Sequence, residues 1–150
     1  MAGRYFDQWQ FGDKIAHEVT RTVTETDNVL ISVLTHNPQP LHLDHEVAAA
    51  SEFGKPLVNS IFTFGLMVGV SVSDTTLGTL IANLGYDKLV FPNPVFAGDT
   101  LRSESECIAV RESKSRANAG IVTWAHCSFN QRDELVCECT RSALLLRTPA

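Results

Sequence analysis

At 150 residues the chain is about one domain's worth of protein, able to bury roughly 68–70% of its unfolded surface in one core. Hydrophobic residues at 44% and charged residues at 19% sit near globular averages, which excludes disorder and a coiled coil. A net charge of −5 offers no basic face and argues against nucleic acid as the main partner.

The first nineteen residues mix aromatic and charged side chains without the apolar run of a secretory signal. The longest apolar stretch, IFTFGLMVGVSV, is twelve residues, too short to span a bilayer. A cytoplasmic protein with no membrane partner is expected. Its four cysteines show no zinc spacing, so free, mostly buried thiols are expected. Cys137 and Cys139 alternate along what reads as a strand and are expected on opposite sides of a sheet.

In chain order, HEVTRTVTE (residues 17–25) alternates as a half-buried strand does. TETDNVLISVL then changes period: Thr24 or Thr26 can cap a short helix whose apolar face is Val29, Leu30, Val33 and Leu34. THNPQPLHLDH, residues 35–45, brings three histidines and an aspartate together in a proline-rich loop. Asp44 is a plausible N-cap for a helix through Glu52, with Gly54 at its left-handed end. NSIFTFGLMVGVSVSD, residues 59–74, is apolar nearly all round and predicts a buried central helix capped by Asn59 or Ser60. Gly65 and Gly69 lie on one face, where a sheet or second helix can approach closely. From residue 79 onward the pattern is β, with SKSRANAG and NQRDE as hairpin turns. One α+β domain over residues 1–150, a curved antiparallel sheet around one long helix, is the predicted architecture.

The order PxPLHxD, then a short helix ending in FG, then PLVNSxFTxGL, and later FPxPVFAGDTL resembles the MaoC-type hot-dog-fold hydratases and dehydratases, which include the R-specific enoyl-CoA hydratases. The similarity runs from about residue 4 to 147. It implies a hot-dog fold, a homodimer at least, a coenzyme A thioester substrate and addition or removal of water at the 2,3-bond, with no metal or redox cofactor. Two departures stand out. Aligned on Pro40 and His42, the usual aspartate and asparagine positions hold Asn37 and Gln39, and the usual HG opening the central helix reads Asn59 and Ser60. This pattern resembles the branch that hydrates branched or dicarboxylic enoyl thioesters of the mesaconyl type.

Hydrating an enoyl thioester takes a base for water, an acid for the α-carbon and donors for the enolate-like oxygen. His42 suits the proton transfers, because an unperturbed histidine titrates at about 6.5, near working pH. Asn37 cannot exchange protons but can position the water. Asp44 either caps a helix or orients His42, while His36 and His45 read as surface or outer groups. The oxyanion donors are expected among the amides of Asn59, Ser60 and Ile61, with Ser60 also a candidate cap. Arg111, Lys114 and Arg116 form the densest basic cluster and are the candidates for coenzyme A phosphates; Arg21 and Arg147 could serve too. No lysine or arginine near residues 35–45 is an obvious provider of a cation for a dicarboxylic acyl group. Two other readings stay open: a hot-dog thioesterase, or a non-catalytic acyl-CoA-binding module that lost its aspartate.

Overall fold

A computed structural model describes residues 3–150. After a 3-10 turn at Phe6–Gln8, the elements in order are β1 (Lys14–Ala16), β2 (Arg21–Thr22), α1 (Glu25–Leu34), α2 (Pro40–Leu43), α3 (His45–Ala49), α4 (Ser60–Thr75), β3 (Leu80–Val90), β4 (Thr100–Glu112), β5 (Ala119–Phe129) and β6 (Leu135–Leu146). The strands pair antiparallel in the order β1-β4-β5-β6-β3, and β2 also pairs with β4. Residues 113–118 and 130–134 join the long strands as hairpins, as their turn residues predict.

The expected strand over 17–25 is broken into two pieces. Ala16 faces Glu104 and Arg21 faces Leu101, so five steps on one side answer three on the other; the His17 N–H still donates to the Ser103 carbonyl, and residues 18–20 bulge out of the ladder. His17 keeps the inward alternation after Ile15, its buried ring bonded to Asp74 and Ser105, and the break follows it.

Caps fix the helices as the sequence leads one to expect. Thr24 opens α1 in a reciprocal arrangement, accepting from the Asp27 N–H while Asp27 accepts from the Thr24 N–H. Asp44 Oδ1 accepts from the N–H groups of Glu46 and Val47, which makes it the cap of α3. Pro40 sits in the first turn of α2, where its missing N–H costs nothing. Asn59 caps α4 by accepting from the Ile61 N–H.

The sheet curls around α4, the arrangement of a hot-dog fold. Val23, Val58, Val95, Leu101 and Val136 pack with Phe62 and Leu66 at the start of α4, and Met67 packs against Cys137 and Cys139 further along. Both cysteines thus share the helix-facing side, correcting the expectation of opposite sides: residues two apart on a strand face the same way. At the far end Phe6, Trp9 and Trp124 close the core, with Trp9 edge-on to Trp124 at 5.2 Å.

Two apolar surfaces depart from expectation. The face of α1 made by Val29, Leu30, Val33 and Leu34 is exposed, and the buried positions are Asn28 and Ser32. Periodicity located the stripe correctly but not its direction, because the inward face of α1 answers backbone polar groups rather than the core. Around Gly65 and Gly69 nothing lies within 4 Å of where a side chain would begin, so no element of the same chain makes the close approach those glycines permit.

Candidate functional site

His42 is half-buried on α2 and its ring is held by one firm contact: Nδ1 donates to the Leu57 carbonyl at 2.7 Å. A carbonyl only accepts, so the neutral ring carries its proton on Nδ1 and leaves Nε2 with a free lone pair. Leu57 stands two residues before the cap of α4, so the imidazole is anchored beside that helix's amino end.

Asn28 makes this arrangement rigid. Its Nδ2 donates to the carbonyls of His42 and Leu57, at 3.1 and 3.0 Å, and its Oδ1 accepts from the Asn59 N–H at 2.8 Å. Asn59 in turn donates to Ser32, whose own carbonyl accepts from the Asn37 N–H. One buried face of α1 therefore ties together the histidine, the segment ahead of α4, the cap and the loop holding Asn37. Nothing in the local pattern singled out Asn28 or Ser32; their polarity inside an otherwise apolar helix was the available signal.

FPNPVFAGDTL supports the same segment. Val58 N–H donates to the Val95 carbonyl, Leu57 bridges to Phe96, and Lys55 lies 4.4 Å over the Phe96 ring. Asp99 locks the loop, accepting from the Phe96 N–H, Gln131 and Arg132. Burial alone would raise the Asp99 carboxyl, but the Phe96 N–H, Gln131 and Arg132 outweigh it and hold its pKa below the usual range.

The remaining expected residues fall in place as follows. Asn37 is half-buried and its Oδ1 accepts from the Gln39 N–H at 3.0 Å, so that oxygen stabilises a turn. Gln39 is exposed and precedes Pro40 at the start of α2. Asp44 is engaged in capping and does not orient His42. His36 is exposed with φ +53°, and the exposed His45 lies 3.9 Å from Glu25. Of the three amides expected to be open, Asn59 N–H is held by Asn28 and Ile61 N–H by the Asn59 side chain. Ser60 N–H has no partner among the described residues and is the one of the three that stays open.

His42 and Ser60 open onto different depressions. His42 lines one of about 220 Å³ with Glu25, Asn28, Val29, His45, Lys55 and Pro56; Ser60 lines one of about 300 Å³ with Phe53, Thr63, Phe91 and Val136. Leu57 and Val58 belong to the second, and Pro56 to the first, so residues 56–58 form the wall between them.

The basic cluster is not part of this site. Arg111 lies near the end of β4, and Lys114 and Arg116 lie in the hairpin beyond it, whereas Ala97 of the His42 depression precedes the start of that strand. The run of β4 from Thr100 to Arg111 separates them by roughly 35–40 Å. Arg21 is paired with Asp27 and Arg147 with Glu112. The cation that does line the His42 depression is Lys55, which the sequence reading passed over because it lies ten residues beyond the loop.

A family model described as MaoC like domain matches residues 7–127. The chain belongs to that family. It is 36% identical over 135 residues to a mesaconyl-CoA hydratase from Cereibacter sphaeroides, covering 90% of this chain and 39% of that protein. It is 32% identical over 139 residues to a beta-methylmalyl-CoA dehydratase from Chloroflexus aurantiacus, covering 93% and 39%. This MaoC-like chain therefore spans about two fifths of the length of those relatives. Among solved structures, a monoamine oxidase regulatory protein from Archaeoglobus fulgius superposes with a TM-score of 0.87 at 35% identity, over 99% of this chain and 98% of that one.

Proposed function

We propose that this MaoC-like chain adds or removes water across the 2,3-double bond of a small enoyl thioester of coenzyme A. The observation that carries the reading is the His42 ring, pinned through Nδ1 to the Leu57 carbonyl and free at Nε2, with only residues 56–58 between its depression and the one that Ser60 lines at the start of α4. In the hydration direction Nε2 takes a proton from water as its oxygen bonds to the β-carbon, and the same ring returns a proton to the α-carbon. The electron pair of the double bond passes to the thioester oxygen and back, and the Ser60 N–H with the positive end of α4 stabilises that oxygen meanwhile. The Asn37 side-chain NH₂ is the group left to place the water. This chemistry calls for no metal or redox cofactor. The relatives' names support a branched or dicarboxylic acyl group.

A homodimer belongs to the same proposal. The outer edge of β3 has no neighbouring strand among the described residues, and Leu80, Leu84, Tyr86, Val90 and Phe91 are exposed on or beside it. The open glycine face of α4 and the exposed stripe of α1 add to it, and a second copy would bring the total length close to that of the relatives. No described helix is long and apolar enough to cross a membrane. A cytoplasmic setting suits the thiols: burial pushes Cys137 up to about 12 and Cys139 to about 11, so both stay protonated.

The test is a panel of enoyl-CoA esters, straight, branched and dicarboxylic, followed by absorbance of the conjugated thioester and by thiol release. Loss of the enoyl band without free thiol supports hydration. Thiol release points instead to a thioesterase, and no change in either signal to a binding module.

A further inference from the structure

Lys55 is unlike the other cations at this end of the fold. Arg21, Arg102 and Arg132 are committed to Asp27, Asp133 and Asp99, while Lys55 meets no carboxylate within salt-bridge distance among the described residues. Its ammonium lies 4.4 Å over the Phe96 ring, a contact that steadies the side chain without neutralising its charge. Phe96 is in turn clamped by the bridge to Leu57, the residue whose carbonyl holds His42. The unneutralised cation and the reactive imidazole are thus fixed to one short stretch of backbone and line one depression.

That depression is small. At about 220 Å³ it falls below the usual range of drug-sized pockets, roughly 300–1,000 Å³, so it suits a short acyl group and not a fatty one. Val29, Leu43, Pro56 and Ala97 give it an apolar wall; Glu25, which also lines it, lies 3.9 Å from His45 and beyond salt-bridge distance of Lys55. A short alkyl chain lying there would leave the ammonium facing hydrocarbon; a chain ending in carboxylate would complete the charge pair.

We infer that Lys55 binds the free carboxylate of a short dicarboxylic acyl group whose thioester end lies at His42. Lys55 is then a specificity residue for the reaction proposed above, and the inference rests on that reading for the placement of the thioester. The same ammonium could instead meet a coenzyme A phosphate, and the experiment separates the two sources.

Affinities of the wild type and Lys55→Met are measured by calorimetry for succinyl-CoA and butyryl-CoA, which are saturated and do not hydrate, and for the matching pantetheine thioesters, which lack the nucleotide phosphates. The wild type should favour the succinyl over the butyryl thioester by about tenfold on both carriers, and Lys55→Met should lose that preference while binding butyryl-CoA unchanged. A preference that survives the substitution overturns the inference. So does equal weakening of both CoA esters with no effect on the pantetheine esters, which would assign Lys55 to phosphate. If the preference depends on Lys55 but the wild type leaves every enoyl ester untouched, the hydratase reading fails and the carboxylate inference stands.

Discussion

The two ends of α4 each carry a histidine network, about 20 Å apart along the helix, and they are built to opposite ends. At the amino end, His42 makes a single ring contact and keeps one nitrogen free beside a depression. At the carboxyl end, the His17 ring bonds to Asp74 at 2.6 Å and to Ser105 at 2.7 Å, and Ser105 bonds to His126 at 2.6 Å. His17, Ser105 and His126 are all buried. A carboxylate in the last turn of a helix opposes the dipole, and the His17 N–H beside Asp74 offsets that cost. The residue types at this end are those of a hydrolytic triad, yet the serine is flanked by two rings inside the core. What sets the two rings apart is an unspent nitrogen beside a depression at His42, not the presence of acid, histidine and hydroxyl.

The largest effect should come from breaking the open end. His42→Ala is expected to lower turnover by about 10²–10⁴-fold, the usual contribution of one proton-transfer group. Thermal stability should hold, because the Leu57 carbonyl keeps its bond from Asn28. Parent-like hydration by a folded His42→Ala protein would remove His42 from the chemistry.

The sealed end should show itself in stability against pH. Burial, then the charges of Arg141 and His17, push the His126 pKa down to about 3, below the ordinary 6.5 it regains on unfolding. Below pH 6.5 the unfolded chain takes up a proton that the folded chain refuses. Stability from this group is therefore complete above pH 6.5 and falls by up to about 1.4 kcal/mol per pH unit as pH drops toward 3. Urea unfolding at pH 7 and pH 5 measures the slope, and His126→Gln should flatten it. An equal slope in the variant would show that other groups carry the dependence.

Asn28→Ala joins the two measures. Removing three hydrogen bonds leaves buried backbone groups without partners and should cost about 1–3 kcal/mol in urea unfolding, with turnover falling as the His42 anchor loosens. Stability lost without any change in turnover would mean that the site does not need this brace. The smallest effect is expected of Asn37→Asp. A carboxylate there can still accept from the Gln39 N–H, so the fold should be untouched and rates should change less than about tenfold, with any gain appearing on straight-chain crotonyl-type esters.

Much of the fold was legible because α4 is apolar nearly all round and the hairpin turns carry their own residues, SKSRANAG and NQRDE. The Asn59 cap was legible from its place just ahead of the apolar run. What the sequence withheld depends on tertiary partners. The outward turn of Val29, Leu30, Val33 and Leu34 follows from what Asn28 and Ser32 must satisfy, and the polar burial of His17 is met by Asp74, fifty-seven residues away. Lys55 and His42 line one depression, tied to it through the Phe96–Leu57 bridge. The Arg111, Lys114 and Arg116 cluster shows the converse: density of charge in sequence carried no information about distance from the site.

The most direct test is the ¹⁵N spectrum of the histidine rings, recorded with and without a saturated acyl-CoA. His42 should show a protonated Nδ1 and a bare Nε2, with the Nε2 resonance moving when the thioester is added, while His126 stays neutral and unmoved. A His42 ring protonated on Nε2 in its neutral form, or one indifferent to the thioester, would contradict the account.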